Sequence, residues 1–240
     1  MSQFFTVVAG PRMAVEREKG FTIVELLVSM LLTFIIMGAI YSVYRVQTHS
    51  AKVQENRLEA QEYARSTLDM MVREIRNAAY NPRGIAGTGA SCGGGIVIGT
   101  PGVNTATATS ISFTYDFHDG AGGGPDQDCN DSDEDITYAY DTTGCTAGFG
   151  NITRKVGTGA AESLTSCNVP DVSGQRLDIR YFKQDGTELS RPVALADLSA
   201  IQRVQITLTV QSLHPDTEFG GQLNATMTSN ADLRNRGLPS

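Results

Sequence analysis

The chain has 240 residues and a formal net charge of −7. This length suits one domain with an appendage, or two small domains, and the acidic balance argues against a broad nucleic-acid-binding surface. With 25 glycines, no tryptophan and several Thr- and Ser-rich runs, the composition favours a β-rich, loop-rich fold over a helical enzyme.

Near the N-terminus, an apolar segment runs from Phe21 to Tyr44 and contains one ionisable side chain, Glu25. As a helix its 24 residues would span roughly 36 Å, more than the hydrocarbon core of a bilayer at about 30 Å. It is too long for the apolar core of a cleaved secretory signal, and no small-x-small cleavage site follows it. Basic residues before it predict a cytoplasmic N-terminus and an exported remainder. Glu25 is costly in lipid, so we expect it to have a partner of opposite charge.

The stretch KGFTIVELLVSM, residues 19–30, resembles the class III signal of type IV prepilins: a glycine, a phenylalanine, and a glutamate at the fifth mature position. The resemblance implies cleavage between Gly20 and Phe21 by a prepilin peptidase, followed by N-methylation of Phe21. It also implies that Glu25 pairs with the α-amino group of Phe21 on a neighbouring subunit, which fixes the register between subunits in a filament. Residues 1–20 are long for such a leader, and we expect the true start to be Met13.

After Arg45 the helix is expected to continue to about Ala79 with one apolar face. Small or apolar residues mark this face in helical spacing: Val53, Ala60, Ala64, Leu68, Met71, Ile75 and Ala78. Pro82 is expected to end the helix, because proline cannot continue its hydrogen-bond ladder. The heptads are too few and irregular for a coiled-coil stalk. The predicted divisions are a leader (1–20), a membrane or filament-core helix (21–45), an amphipathic half (46–80) and a β-rich domain (81–240).

From Gly84 onwards, short β-like runs alternate with turn residues. Strands are predicted over 95–99, 110–117, 135–141, 151–157, 176–183, 201–212 and 222–234, and a helical turn over 195–200. Strands 110–117 and 135–141 are expected to form a hairpin. The predicted fold class is α+β, a pilin-like lollipop in which a long N-terminal α-helix packs on a mostly antiparallel β-sheet globular domain.

Four cysteines lie in this β-rich part, and none has the spacing of a CxxC pair or a zinc site. An even number of cysteines in an exported chain favours two disulfides. All three connectivities are open. In one of the three, Cys92 pairs with Cys129 and holds an acidic loop, and Cys145 pairs with Cys167, which lies on the other side of strand 151–157.

The acidic segment 118–135 is the one candidate for metal binding in the sequence. Asp126, Asp128 and Asn130 match the first three ligand positions of an EF-hand loop, but the positions of its glycine and its bidentate glutamate do not match. These three residues and Asp133 form a hypothetical calcium site. The alternative is a solvated, self-repelling loop. No other cofactor is expected.

Several later stretches resemble PilW-type minor pilins and are similar also to the J-type minor pseudopilins of type II secretion. They are LDMMVREIRNAAYNP, ISFTYDF, DITYAYD, ITRKVG, IQRVQITLTVQS and ADLRNRG. The resemblance implies a non-catalytic subunit that helps to initiate pilus assembly and lies at the pilus tip. The implied partners are other minor pilins, the major pilin and an inner-membrane assembly platform. The implied location is the bacterial inner membrane, with the globular domain in the periplasm, and later the pilus or cell surface.

The sequence leaves two other functions open. One is a minor pseudopilin of a type II secretion system, and the other is a tip adhesin or receptor that makes contact through the acidic loop. An enzyme is not expected, because the three histidines are isolated and indicate no catalytic triad. Binding of nucleic acid is not expected either, because the chain is acidic.

Overall fold

The computed structural model of the chain describes residues 20–80, 102–117, 123–124, 133–172, 176–214 and 223–235. The chain divides into two compact units, Met1–Ser50 and Ala51–Ser240. The first element is a single helix, α1 (Ile23–Ile75). The strands that follow are β1 (Val103–Ala106), β2 (Ser110–Thr114), β3 (Asp135–Asp141), β4 (Phe149–Val156), β5 (Glu162–Ser163), β6 (Val169–Pro170), β7 (Asp178–Phe182), β8 (Arg203–Gln211) and β9 (Asn224–Asp232). A 3₁₀ helix, Leu195–Ala200, precedes β8.

In the second unit, α1 buries one stripe of small and apolar side chains. The buried residues are Ala60, Ala64, Thr67, Leu68, Met71, Val72 and Ile75. They include most of the face expected from the sequence, whereas Val53 is only half-buried. Helical periodicity therefore predicted which side of this part of the helix contacts the core.

The end of α1 differs from the expectation in both position and cause. The helix ends at Ile75 rather than near Ala79. Asn77 N–H donates to the Glu74 carbonyl and Ala78 N–H to the Ile75 carbonyl, so the last turn tightens to a three-residue spacing. Ala79 then has a positive φ of 64°, which turns the chain away from the helix axis. The end of helix α1 thus precedes Pro82, which lies outside the described residues.

The strands form two antiparallel sheets rather than the single sheet expected from the sequence. The first has the order β1-β2-β3-β4-β5, with β6 also pairing with β4, and the second has the order β7-β8-β9. The expected hairpin is present as β2 and β3, with Phe113 opposite Ile136. Gln211 N–H donates to the Asn168 carbonyl at 2.7 Å and Ile179 N–H to the Ala108 carbonyl at 2.8 Å, so backbone hydrogen bonds join the two sheets.

One apolar core lies between the helix and the two sheets of the second unit. It contains the alternating residues predicted for the strongest strand, which are Val204, Ile206, Leu208 and Val210. The fold expectation of a long N-terminal apolar helix and an antiparallel-sheet domain is therefore confirmed. Strands β1, β5 and β6 were not predicted, and the predicted strand 95–99 lies outside the described residues.

Candidate functional site

The start of helix α1 is capped by a short polar motif. Glu25 N–H donates to the Thr22 hydroxyl at 3.3 Å, and Leu26 N–H donates to the Thr22 carbonyl at 3.2 Å. Thr22 is therefore the N-cap, and Thr22-Ile23-Val24-Glu25 has the spacing of a capping box. The sequence analysis missed the role of Thr22, although the threonine three residues before a glutamate was a readable signal.

Gly20 and Phe21 precede the helix and are both exposed. The Phe21 side chain is 81% exposed, and a Cβ atom placed on Gly20 would have no other atom within 4 Å. The Gly20–Phe21 peptide bond is thus outside regular structure. Among the residues that the structure describes, neither packing nor backbone strain requires a glycine at position 20.

The first unit of the chain presents an apolar surface all round the helix. None of its described side chains is buried, including Leu27, Phe34 and Ile40. By length and composition, α1 contains a segment able to cross a membrane. The exposed apolar surface requires lipid or other apolar helices around it.

The hydroxyl groups of Ser29, Thr33 and Ser42 within this apolar segment are satisfied by the helix itself. Ser29 donates to the Leu26 carbonyl at 2.9 Å, Thr33 to the Ser29 carbonyl at 2.7 Å and Ser42 to the Ala39 carbonyl at 2.8 Å. Such bonds to the preceding turn remove the cost of placing a hydroxyl in lipid. Within the described residues, no side chain binds the Glu25 carboxylate. Glu25 is therefore the charged group of this segment that still needs a partner.

A second polar cluster fixes α1 to the first sheet. Glu74 Oε2 accepts hydrogen bonds from the Tyr138 hydroxyl at 2.5 Å and from Arg154 Nε at 3.0 Å. Glu74 Oε1 accepts from Arg154 Nη2 at 2.8 Å, and the two charged side chains are each 21% exposed. Burial, followed by the hydrogen bond to Glu74, raises the pKa of Tyr138. Every polar end in the cluster is paired, as expected of a structural contact rather than a reactive one.

Burial also raises the pKa of the neighbouring Tyr115, to about 12, and the Glu74 charge adds to the effect. The Tyr115 hydroxyl donates to the Asp133 carbonyl at 3.2 Å. Both phenols therefore stay neutral at physiological pH and act as hydrogen-bond donors. A tyrosine that transfers protons near neutral pH needs a lowered pKa, whereas the pKa of both tyrosines is raised.

A disulfide joins Cys145 to Cys167. It links the turn after β3 to the segment before β6, and Cys167 N–H also donates to Asn151 Oδ1 at 2.5 Å. This is the pairing suggested by the positions of the two cysteines around the predicted strand 151–157. The other two candidates, Cys92 and Cys129, lie outside the described residues.

The hypothetical calcium ligands cannot be assembled from the described residues alone. Asp126, Asp128 and Asn130 lie outside them, whereas Asp133 is described and half-buried. Across the described part of the chain, no group of three or more His, Cys, Asp or Glu side chains is arranged to hold a metal ion. Calcium binding therefore stays a prediction.

Comparison with protein families identifies the N-terminal segment. Residues 16–41 match the prokaryotic N-terminal methylation motif, the processing signal of type IV prepilins. The match includes Gly20, Phe21 and Glu25. The chain is thus type IV pilin-like at its N-terminus, which implies processing by a prepilin peptidase and anchoring in a membrane.

No curated protein matches the chain in sequence. Among solved structures, it is similar to a type IV-like pilin from Thermus thermophilus, with 11% sequence identity over 73% of this chain and 97% of that chain. The TM-score is 0.38, too low to support an argument about fold or function.

Proposed function

We propose that the chain is a non-catalytic minor subunit of a type IV pilus, which helps to initiate assembly and lies at the pilus tip. The observation that carries this proposal is the junction at Gly20. A glycine that no contact with the described residues requires stands beside an exposed phenylalanine, inside a segment that matches the methylation motif. Recognition of Gly20 by a separate processing enzyme would account for the presence of this glycine.

Cleavage after Gly20 would create the missing partner of Glu25. The new α-amino group of Phe21 is a cation at the N-terminal end of the same apolar segment, so it can meet the carboxylate of a neighbouring subunit. Two charges that are each costly in lipid become tolerable when they are paired. The apolar surface of the first unit would then exchange lipid for the helices of other subunits, held by close packing.

The minor role rests on the resemblance of the later sequence to PilW-type subunits. The proposed partners are the prepilin peptidase, other minor pilins, the major pilin and the inner-membrane platform. The proposed location is the inner membrane, with the β-rich domain in the periplasm until the subunit enters a pilus. The cluster of Glu74, Tyr138 and Arg154 gives no support to an enzymatic role, because its polar ends are paired with one another.

The first test is the N-terminal sequence and intact mass of the protein extracted from membranes of its own host. We expect a chain that begins at N-methylated Phe21. Gly20→Ala should abolish cleavage and leave the leader attached. Gly38→Ala is the matched control, because a Cβ at Gly38 also meets no atom within 4 Å; this variant should be processed normally. A wild-type chain that keeps its leader would overturn the proposal.

The two alternatives predict different losses when the gene is deleted. A pilus subunit predicts loss of pili, whereas a type II pseudopilin predicts loss of protein secretion with pili intact. A tip adhesin predicts that removal of residues 118–135 abolishes adhesion while pili persist. Loss of pili in that deletion would count against the adhesin.

Calcium binding has its own test. Titration of the purified chain with CaCl₂ in a calorimeter should show saturable binding if the acidic loop holds the ion. Replacing Asp126 and Asp128 together by Asn should remove that signal, whereas replacing Asp171, outside the loop, by Asn should keep it. Absence of heat in the unaltered chain would establish the solvated loop instead.

A further inference from the structure

Two hydroxyl groups continue the face of helix α1 that begins at Glu25. Ser29 and Thr33 follow Glu25 at intervals of four residues, so each side chain lies about 40° round the axis from the one before it. All three side chains are exposed. Ser42 lies on another face, about 100° from Glu25 in the opposite sense. Glu25, Ser29 and Thr33 therefore form a polar face on the first part of the apolar segment.

The two hydroxyl groups of the polar face have already used their hydrogen atoms. Ser29 Oγ donates to the Leu26 carbonyl at 2.9 Å, and Thr33 Oγ1 donates to the Ser29 carbonyl at 2.7 Å. A hydroxyl oxygen that donates once still has lone pairs to accept with, and an ionised carboxylate can only accept. The three side chains thus offer acceptors, and no further donor, to whatever lies against them.

Ser29 is placed to share a bound group with Glu25. The Cα–Cβ bonds of a helix tilt towards its N-terminus, so the Ser29 side chain leans over the turn that carries Glu25. Cβ atoms four residues apart on a helix lie about 5–6 Å from each other. Oxygen atoms at that separation can each accept a hydrogen bond of about 2.8 Å from one nitrogen between them.

Processing at the Gly20–Phe21 junction would create a group that fits these acceptors. Once cleaved and methylated, as the matched motif implies, the protonated α-amino group of Phe21 has two N–H donors and no acceptor. The Glu25 carboxylate can bind one donor and neutralise the charge. In an apolar segment the second donor also needs an acceptor, because an unpaired N–H is costly away from water.

The nitrogen must come from a second subunit rather than from the same chain or from lipid. Phe21 lies roughly 12 Å along the axis from Ser29, so the nitrogen of its own chain cannot reach the Ser29 hydroxyl. The ammonium groups of lipids lie outside the hydrocarbon core, whereas Ser29 lies the same roughly 12 Å inside the apolar segment. A nitrogen carried by another apolar helix can enter to that depth.

We propose that Ser29 is the second hydrogen-bond acceptor for the processed N-terminus of a neighbouring subunit, beside Glu25. This inference rests on the proposed cleavage and methylation at Phe21. The neighbour's nitrogen lies between the levels of Glu25 and Ser29, so two parallel helices are displaced along their axes by roughly 6–12 Å. Ser29 Oγ keeps its bond to the Leu26 carbonyl and adds this contact with a free lone pair.

The test compares three serine and threonine variants of the full chain in its own host. Ser29→Ala should lower the amount in sheared pili, relative to the amount in membranes, by about tenfold. Ser42→Ala is the matched control, because its hydroxyl makes the same kind of bond, to the Ala39 carbonyl at 2.8 Å, on another face. Thr33→Ala, one turn beyond the proposed nitrogen, tests the level. Both controls should stay within twofold of the unaltered chain.

Two further variants separate an acceptor from a purely structural role. Ser29→Thr keeps the hydroxyl, its bond to the preceding turn and its lone pairs, so it should restore incorporation to within about twofold. In a Glu25→Gln background, Ser29→Ala should lower incorporation by less than a further twofold, because the two oxygens act on one nitrogen. Equal losses in both backgrounds would overturn the proposal.

The remaining outcomes distinguish this inference from the proposed function. An unaltered chain that keeps its leader, or that is processed but absent from pili, contradicts the proposed function, and this inference falls with it. An unaltered chain in pili, with normal incorporation of Ser29→Ala or an equal loss for Ser42→Ala or Thr33→Ala, overturns the role of Ser29 alone. Less Ser29→Ala protein in membranes, at an unchanged ratio of pili to membranes, would assign the hydroxyl to lipid instead. A Ser29→Ala chain that keeps its leader would assign it to processing.

Discussion

Glu25 serves the protein through two different groups. Its backbone N–H is held by the Thr22 hydroxyl at 3.3 Å, which fixes the first turn of α1. Its carboxylate is then held near the positive end of the helix dipole, beside the junction at Gly20 and Phe21. The cap thus positions the carboxylate where a new α-amino group would appear after cleavage.

Glu25→Gln should leave cleavage intact and prevent assembly. Glutamine removes the charge that would pair with the α-amino group, and an unpaired charge inside the apolar segment costs on the order of 3 kcal/mol. We expect incorporation into pili to fall on the order of 100-fold, measured by immunoblot of sheared pili against membranes. Glu55→Gln, which alters another exposed carboxylate of α1, is the control. Normal incorporation of the Glu25→Gln variant into pili would show that assembly does not require the Glu25 carboxylate.

Ala79 has a backbone conformation that favours glycine over alanine. Its φ of 64° lies in the left-handed region, which costs a residue with a Cβ roughly 1 kcal/mol or more. Its N–H nevertheless donates to the Thr114 carbonyl at 3.1 Å, so the turn is held by the sheet. Ala79→Gly should stabilise the chain by about 1 kcal/mol in urea unfolding. Ala78→Gly is the control, because Ala78 is fully buried in the core; that change should destabilise the chain.

At the scale of elements, the contact that joins α1 to the first sheet depends on one bidentate pair. Arg154→Met should lower the free energy of unfolding by about 3 kcal/mol, because it leaves the Glu74 carboxylate partly buried with Tyr138 as its remaining partner. Arg73→Met alters an exposed arginine on the adjacent position of the helix and should change stability by less than about 0.5 kcal/mol. Equal effects of the two variants would mean that the ion pair contributes little beyond side-chain packing.

Periodicity predicted the elements whose patterns are long, and it failed on the short ones. The stripe from Ala60 to Ile75 and the alternation along β8 have enough repeats to define a buried face. By contrast, β5 and β6 have two residues each, and no alternation exists over that length. The division into two sheets depends on long-range pairing, such as Gln211 N–H with the Asn168 carbonyl, which no local pattern reports.

The candidate site was predicted from the sequence in part. Gly20, Phe21 and Glu25 form a local motif that can be read directly from the chain. The cluster of Glu74, Tyr138 and Arg154 joins residues separated by 64 and 80 positions, so only the folded chain brings them together. The helix end was attributed to Pro82 because proline is a strong local signal, whereas the sheet holds Ala79 in the turn.

At the scale of the whole molecule, the second unit contains all the buried apolar residues of the described chain, beginning at Ala60. A fragment that starts at Val46 should therefore fold without the apolar segment and remain soluble. We expect one cooperative unfolding transition in urea, followed by circular dichroism. Peptide mapping should show that Cys145 and Cys167 are joined by a disulfide. A fragment that shows no cooperative transition would mean that the core requires the first unit.

The folded chain should lose stability at alkaline pH. Burial raises the pKa of Tyr138 and Tyr181 above the ordinary phenol value of 10.0. Their contribution to stability is fully present below the unfolded pKa and is lost as the pH rises through the folded pKa. Above about pH 10 the free energy of unfolding should fall by about 1.4 kcal/mol per pH unit for each tyrosine that ionises only on unfolding. Urea titrations between pH 8 and pH 12 measure this slope.

Tyr181→Phe separates this titration from other alkaline effects. The variant loses the hydrogen bond from the Tyr181 hydroxyl to the Thr107 carbonyl, 2.9 Å long, so it should be less stable than the unaltered chain below about pH 10. Above pH 10, its free energy of unfolding should nevertheless fall less steeply with pH, by about 1.4 kcal/mol per pH unit, because one buried tyrosine has been removed. An unchanged slope would assign the alkaline loss to other groups.

The hydroxyls of Ser29, Thr33 and Ser42 have a consequence for reversibility. Because each one is satisfied within its own helix, the segment makes the same internal hydrogen bonds in a bilayer and among protein helices. Transfer between these two surroundings breaks none of them, so the internal bonds of these three hydroxyl groups create no barrier in either direction. As far as these internal bonds are concerned, the helix can return from a filament to the bilayer as readily as it leaves the bilayer. The direction of transfer then depends on the charge pair at the N-terminal end of the helix and on the assembly machinery.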